Sequence, residues 1–300
     1  MNKKTKESLI LATALILFGA ILFGGVMMSL GFDFKKLSTI KYKTNTHNIG
    51  NQFKNISIIS NTANITLIPS ESEEGVITCY EQKNITHSVD IKDDTLTIKV
   101  NDTRKWYEHI GVSFENSKIT VSIPAGEYGK LNIKSYTGKV NVSADFKFES
   151  VDISQSTGDI VNCSSASGNM NISTTTGDIV MDNISANDVN VKVSTGKINL
   201  TNINCNNLTS KGTTGNFDLE NVIATGKMKI ERNTGNISFT KCDASEIRLK
   251  TTTGDVKGSL LSGKMFSTKT STGKVDVPKT FDGGKCEIST STGNIKVTIE

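Results

Sequence analysis

The chain has 300 residues with 34 basic against 30 acidic side chains, a formal net charge of +4. Setting aside Lys3, Lys4, Lys6 and Glu7, which precede the first apolar run, leaves 31 basic and 29 acidic residues, a balance too even and too dispersed for nucleic acid. Five cysteines, an odd count without a Cys-x-x-Cys pair, argue against both a disulfide framework and a bound metal.

In chain order, residues 1–8 form a short basic N-terminus, and residues 9–32, Leu9 to Phe32, an uncharged apolar run beginning LILATALILFGAILFGG. That run is long enough to cross a bilayer as one transmembrane helix. The lysines before it place the N-terminus in the cytoplasm by the positive-inside rule, with everything after it extracytoplasmic. It exceeds a signal-peptide core and shows no small-x-small cleavage site, so a retained single-pass anchor is expected, with a cleaved signal as the weaker alternative. A lipobox cysteine and a C-terminal sorting motif are both absent, which leaves the helix as the visible tether.

Residues 33–130 read as a juxtamembrane segment and a β-rich N-terminal cap. The runs ISIISNTANITLIP, TLTIKV and KITVSIP alternate apolar and polar residues, and Pro69 and Pro124 close strands, as a residue without an N–H donor should. A repeat stack needs its first rung covered, and this segment is placed to cover it. The single tryptophan lies in Arg104-Lys105-Trp106-Tyr107; a buried place in the cap core is favoured over a ligand-binding aromatic patch.

Residues 131–300 carry nine Thr-Gly corners: Thr137-Gly138, Thr157-Gly158, Thr176-Gly177, Thr195-Gly196, Thr214-Gly215, Thr234-Gly235, Thr253-Gly254, Thr272-Gly273 and Thr292-Gly293. The steps between glycines are 20, 19, 19, 19, 20, 19, 19 and 20 residues. A fixed period in this range marks stacked repeats. Two residues after each glycine runs an apolar column: Val140, Ile160, Ile179, Ile198, Phe217, Ile237, Val256, Val275 and Ile295. Five and seven residues before it, Ile153, Ile172, Val191, Val151, Met170 and Val189 continue the inward face in alternation. Each period thus reads as two short strands meeting at a corner, with glycine supplying a positive φ. The threonine shares the parity of the incoming strand and is expected to form an inward ladder of hydroxyls.

The fold class that follows is all-β: a parallel β-solenoid, β-helix-like, with 19–20-residue coils, preceded by the helix and the cap. An antiparallel meander would leave one apolar face with nothing to cover it. Nine coils stacked at strand spacing make a body roughly 40 Å long.

Catalytic, cofactor-binding and metal-binding residues are not nominated. Cys163, Cys205 and Cys242 sit about two coils apart, beyond disulfide reach, and read as isolated thiols. His47, His87 and His109 all precede the repeats, and none has a partner at ligand spacing. Asp159 and Asp178, each one residue after a corner glycine, invite a weak calcium reading, but solvated surface charge is favoured. Asn-x-Ser/Thr triplets at Asn55, Asn64, Asn84, Asn141, Asn171 and Asn236 reflect an Asn-, Ser- and Thr-rich composition rather than glycosylation.

The segments GFDFKKL, RKWYEHIGVSF and ITVSIPAGEYGKLNI, with the serial STG-[DKN]-[IV] corners, resemble the putative-adhesin family of β-strand-repeat proteins of unknown function, common in membrane proteins of low-GC Gram-positive bacteria. The resemblance covers residues 31 to 300 and implies a parallel solenoid ectodomain, with adhesion as the associated role. It brings no catalytic residues. Some relatives are associated with envelope-stress systems. The expected function is therefore a non-enzymatic, membrane-anchored surface-interaction or scaffold protein of the cell envelope, without a cofactor. Its expected partners are the membrane, a cell-surface, wall-polymer or membrane-protein ligand, and weakly a second copy through the strand Ile295-Lys296-Val297-Thr298-Ile299 after the last corner. An accessory or sensor in envelope-stress signalling is the first alternative, and a carbohydrate-active β-helix enzyme the second.

Overall fold

The computed structural model describes residues 2–38, 40–50, 52–106 and 115–300. Helix α1 spans Lys3–Ser29, 27 residues, about 40 Å at 1.5 Å per residue. Asn2 caps it, its Oδ1 accepting the Thr5 amide proton at 2.9 Å. Gly31 and Phe32 then take left-handed φ values of 67° and 59°, which end the helix inside the apolar run. Met27 is its single buried residue; its leucines, isoleucines and phenylalanines are exposed.

The first strands are β1 (Tyr42–Ile49), β2 (Asn55–Ser70), β3 (Gly75–Gln82), β4 (Ile85–Lys92), β5 (Thr95–Asp102) and β6 (Ser117–Pro124). The coils follow as β7 (Gly126–Thr137), β8 (Val140–Val142), β9 (Phe146–Thr157), β10 (Ile160–Asn162), β11 (Ser165–Ala166), β12 (Asn169–Thr176), β13 (Ile179–Thr195), β14 (Ile198–Thr214), β15 (Phe217–Thr234) and β16 (Ile237–Lys250). The chain ends in β17 (Val256–Leu260), β18 (Lys264–Thr272), β19 (Val275–Asp276), β20 (Gly284–Thr292) and β21 (Ile295–Ile299). From β7 to β16 successive coils pair in parallel and in register, as Ile179 with Ile198 and Ile198 with Phe217. The body is a parallel β-solenoid, as the period requires.

The four coils from Gly177 to Lys250 have three strand faces. A second corner stands six residues after the glycine, where Asn183, Asn202, Asn221 and Lys241 take left-handed φ values of 52–55°. Beyond it, Ile184, Ile203, Val222 and Cys242 point inward, followed at the next inward position by Ala186, Cys205, Ala224 and Ala244. Asparagine suits this bend because it tolerates the left-handed region and its amide stacks: Asn221 Nδ2 donates to Asn202 Oδ1 at 2.8 Å. The extra residue of the Gly215–Gly235 interval is absorbed as a register shift around Gly226.

The first rung lies within the segment expected to be cap. Strand β2 pairs in parallel with β7 and β8, Thr62 facing Thr137 and Ile65 facing Val140. Its corner is Thr62-Ala63 rather than Thr-Gly, so the motif hid it, and the solenoid begins near Asn55 instead of residue 131. The remaining strands close that end. On one face β5 pairs in parallel with β2 and β4 antiparallel with β5; on the other β6 is parallel to β2, with β3 and then β1 antiparallel outside it. Ile77, Leu96, Ile98 and Val121 fill the space between.

The last two coils stack out of chain order. Strands β20 and β21 pair with β16 and β17 on one side, Ile247 facing Cys286 and Val256 facing Ile295. On their other side lie β18 and β19. The final coil in sequence is thus inserted beneath its predecessor, and the terminal rung is 264–276. The expectation that Ile295–Ile299 forms the open edge is overturned, and with it the stated basis for self-association there. Side-chain chemistry explains the order. The inserted coil presents Ile288 and Ile295 to the core, whereas the outer one presents Thr268 and Val275, with Val275 44% exposed. Lys264 of the outer coil lies opposite Gly284, and its Nζ pairs at 2.6 Å with Asp243 two rungs below.

Candidate functional site

The Thr-Gly corners form one structural row along the body. All nine glycines have φ between 127° and 154°. A Cβ at Gly196 would lie 2.0 Å from the carbonyl oxygen of Gly177, and the same clash recurs at each rung. The nine threonines face solvent, not the core. The bend ends the alternation, so the innermost row stands three residues before the glycine. There Thr174, Thr251 and Thr290 donate to the glycine carbonyls of the neighbouring rung, at 3.3, 3.0 and 3.0 Å.

One residue after six of the nine glycines, an acidic or amide side chain accepts the backbone N–H of a neighbouring rung; lysine stands there after Gly138, Gly196 and Gly273. Asp159 takes that of Asp178 at 3.0 Å, Asp178 that of Lys197 at 2.7 Å and Asp255 that of Asn294 at 2.7 Å. Asp159 and Asp178 are therefore rung connectors rather than merely solvated charge. The bond from the Asn294 amide, reinforced by Lys257, holds the Asp255 carboxyl below its usual range.

The inner row departs from its pattern at Val193, Gly212 and Arg232. Arg232 is 2% exposed, and its guanidinium nitrogens have no hydrogen-bond partner. It lies 5.2 Å over the Phe217 ring and occupies the space a side chain at Gly212 would need, with Nη1 1.6 Å from the ideal Cβ position. Burial lowers its pKa to about 10, so it stays charged at neutral pH. A groove of about 340 Å³ opens beside Gly212, lined by Lys192, Lys211, Thr213 and Asn233 among others.

The densest chemistry sits in the cap. Strand β3 alternates strictly, burying Ile77, Cys79 and Glu81 on one face. His87 enters from β4 across the hairpin, and Ser60 from the inner corner row of β2. His87 Nδ1 lies 2.8 Å from Glu81 Oε2, the His87 amide donates to the same oxygen at 2.7 Å, and Asn45 Nδ2 donates to Oε1. Ser60 Oγ is 3.4 Å from His87 Nε2. A Ser-His-Glu sequence of contacts suggests nucleophilic catalysis, but Ser60, His87 and Glu81 are 1%, 5% and 0% exposed, and no substrate reaches the hydroxyl. The Cys79 sulfur, a Glu81 oxygen and a His87 nitrogen all lie within 4.8 Å of one another. Burial, then the Glu81 charge, pushes the Cys79 thiol up to about 12. Sequence spacing missed this group because its members meet across two strands; the signal available was Cys79 and Glu81 two apart on one inward face.

The other histidines differ. His47 Nε2 is buried without a hydrogen-bond partner, and His109 lies outside the described residues, as does Tyr107. Trp106 is 80% exposed, contrary to the expected place in the cap core, because the apolar interior there is filled by aliphatic strand residues. On the outer face of the cap a hollow of about 510 Å³ is lined by Tyr80, Glu115, Lys118, Asn64 and three threonines among others. The rings of Tyr42 and Tyr80 stack at 5.0 Å beside it. All five cysteines are free.

A family model described as Toastrack DUF4097 matches residues 53–298, from just before the first rung through the inserted last coil. The chain belongs to the Toastrack DUF4097 family. The match spans the first rung at β2, in keeping with a Toastrack body that starts before the first Thr-Gly corner. No significant match is found among curated proteins. Similar solved structures include a putative adhesin from Bacteroides fragilis, 18% identical, TM-score 0.46, covering 86% of this chain and 97% of that one. A putative adhesin from Parabacteroides merdae is 12% identical, TM-score 0.43, covering 87% and 96%. A putative lipid-binding protein from Parabacteroides distasonis is 10% identical, TM-score 0.42, covering 88% and 98%.

Proposed function

We propose that this Toastrack protein is a non-enzymatic, single-pass membrane protein whose solenoid stands outside the cytoplasm as an adhesive or scaffolding module of the cell envelope. The observation that carries this reading is α1. A 27-residue helix with its large apolar side chains exposed costs far too much in water and finds its solvent in a bilayer. Lys3, Lys4 and Lys6 at its start favour a cytoplasmic N-terminus. The hollow beside Tyr80, with a carboxylate, an ammonium, amides and hydroxyls around an aromatic ring, offers donors and acceptors suited to a hydroxyl-rich wall polymer.

Protease added to intact cells tests the topology. A solenoid epitope should disappear while a tag at Met1 survives, and the mature chain should retain residues 1–32. Protection of residues 33–300 in intact cells would overturn the surface reading, and loss of residues 1–32 would overturn the anchor.

A further inference from the structure

We propose that Cys79, Glu81 and His87 form a buried zinc site that locks the N-terminal cap onto the first rung of the solenoid. The three side chains supply one sulfur, one oxygen and one nitrogen, the donor set of a transition metal rather than of calcium or magnesium. Zinc bonds of about 2.0–2.3 Å place ligand atoms about 3.5 Å apart around a tetrahedron. The cluster lies within 4.8 Å, so the Cys79 sulfur needs to close by about 1 Å at most, while His87 Nδ1 and Glu81 Oε2, 2.8 Å apart, open by about 0.7 Å to admit the ion.

Charge favours the ion. Without metal, a carboxylate is buried in an apolar cap and shares its charge with a histidine and an asparagine. A divalent cation held by a thiolate and a carboxylate gives a neutral centre, which removes the cost of burying net charge. Cys79 releases its proton on binding, and any proton on His87 Nδ1 leaves that nitrogen. Nδ1, which faces Glu81, becomes the ligand, and Nε2–H then donates to Ser60 Oγ, the outer-shell contact that orients a metal-bound imidazole.

His47 of β1, outside the three-residue cluster, is the candidate for a fourth ligand. Asn45 faces Cys79 across β1 and β3 and reaches diagonally to Glu81; His47, two residues further along β1, faces Ile77 on the same inward side. The same diagonal step brings His47 toward Cys79, and its buried Nε2 has no hydrogen-bond partner. The site ties β1, β3 and β4 together, with Ser60 of β2 behind them. The cap covers the apolar core with two edge strands, so a metal cross-link there acts where the stack is otherwise weakest.

The test uses the full chain in detergent, stripped of metal and titrated with Zn²⁺ and Co²⁺. One ion per chain should bind, with release of protons that include that of the Cys79 thiol. Co²⁺ should give a thiolate-to-cobalt charge-transfer band and the visible bands of tetrahedral coordination. Cys79→Ser should abolish the charge-transfer band, and His87→Gln should weaken Zn²⁺ at least about 100-fold. Cys286→Ser, buried in the last coil, should change neither. A wild-type chain that binds no ion, or a cobalt band that survives Cys79→Ser or vanishes in Cys286→Ser, would overturn the site. Because Cys79→Ser could unfold the cap, alkylation of the wild-type chain in mild denaturant gives a second readout. Zn²⁺ should slow modification of Cys79 and leave Cys205 unchanged, and equal rates at Cys79 with and without Zn²⁺ would overturn the proposal.

Discussion

At the corner the backbone of one rung nearly touches the next, and three neighbouring residues divide the work. Gly196 admits a φ of 149° and lets the Gly177 carbonyl approach; Ile198 fills the core; Lys197 points to solvent. Gly196→Val should destabilise by more than about 4 kcal/mol, since strain and a backbone clash add. Ile198→Asp should cost at least as much by burying a charge without a partner. Lys197→Asn should do the opposite. Asp178 and Asn216 each accept an N–H from the following rung, whereas a lysine between them cannot. An amide at 197 supplies the missing acceptor for the Asn216 N–H and should add about 0.5–1 kcal/mol. Thermal or urea unfolding of the three variants checks all of this. An unchanged or lowered stability in Lys197→Asn would count against a stabilising ladder.

At the scale of the element, the coil is the unit, and its position in the stack follows how much apolar surface it offers. The coil carrying Ile288 and Ile295 is enclosed on both sides, and the coil carrying Thr268 and Val275 ends the stack. Lysines at 269 and 274 blunt that outer edge against pairing with other chains. The order is open to cross-linking in a Cys163→Ser background, which removes the half-buried native thiol. Thr253 is bridged directly to Thr292, and Thr292 in turn to Thr272. Adjacent rungs lie about 4.8 Å apart and second neighbours about 9.6 Å, beyond the roughly 7 Å limit for a disulfide. Thr253→Cys with Thr292→Cys should therefore oxidise readily, and Thr253→Cys with Thr272→Cys should stay reduced. The reverse result would restore chain order.

For the whole molecule, the apolar surface divides between a buried core and one exposed helix. The solenoid and cap enclose one continuous core running from Ile49 to Val297, while the apolar surface of α1 is turned outward. Deleting residues 2–29 should release the protein from the membrane fraction and leave the β-sheet circular dichroism signal and its melting temperature within a few degrees of the full chain. Loss of the β signal on deletion would show that α1, through Met27, supports the body.

How much of this was legible beforehand depends on the range of the interaction. The period, the parallel stack, the family resemblance and the outward-facing helix follow from local rules repeated many times: glycine where φ must be positive, alternation where one face is buried, an uncharged run long enough for a bilayer. The first rung escaped because Ala63 replaces the glycine at its corner. The residues of the third face were not singled out because alanine and cysteine carry part of it and dilute the apolar signal. Trp106 was misplaced because an aromatic residue in a β-rich segment does not announce which side it faces. The insertion of the last coil and the meeting of Cys79, Glu81 and His87 were decided only by tertiary structure. Two coils with the same repeat compete for one slot, and the choice depends on which buries more apolar area against both neighbours. A cross-strand cluster likewise depends on the register in which distant strands pair, which no spacing within a single strand encodes.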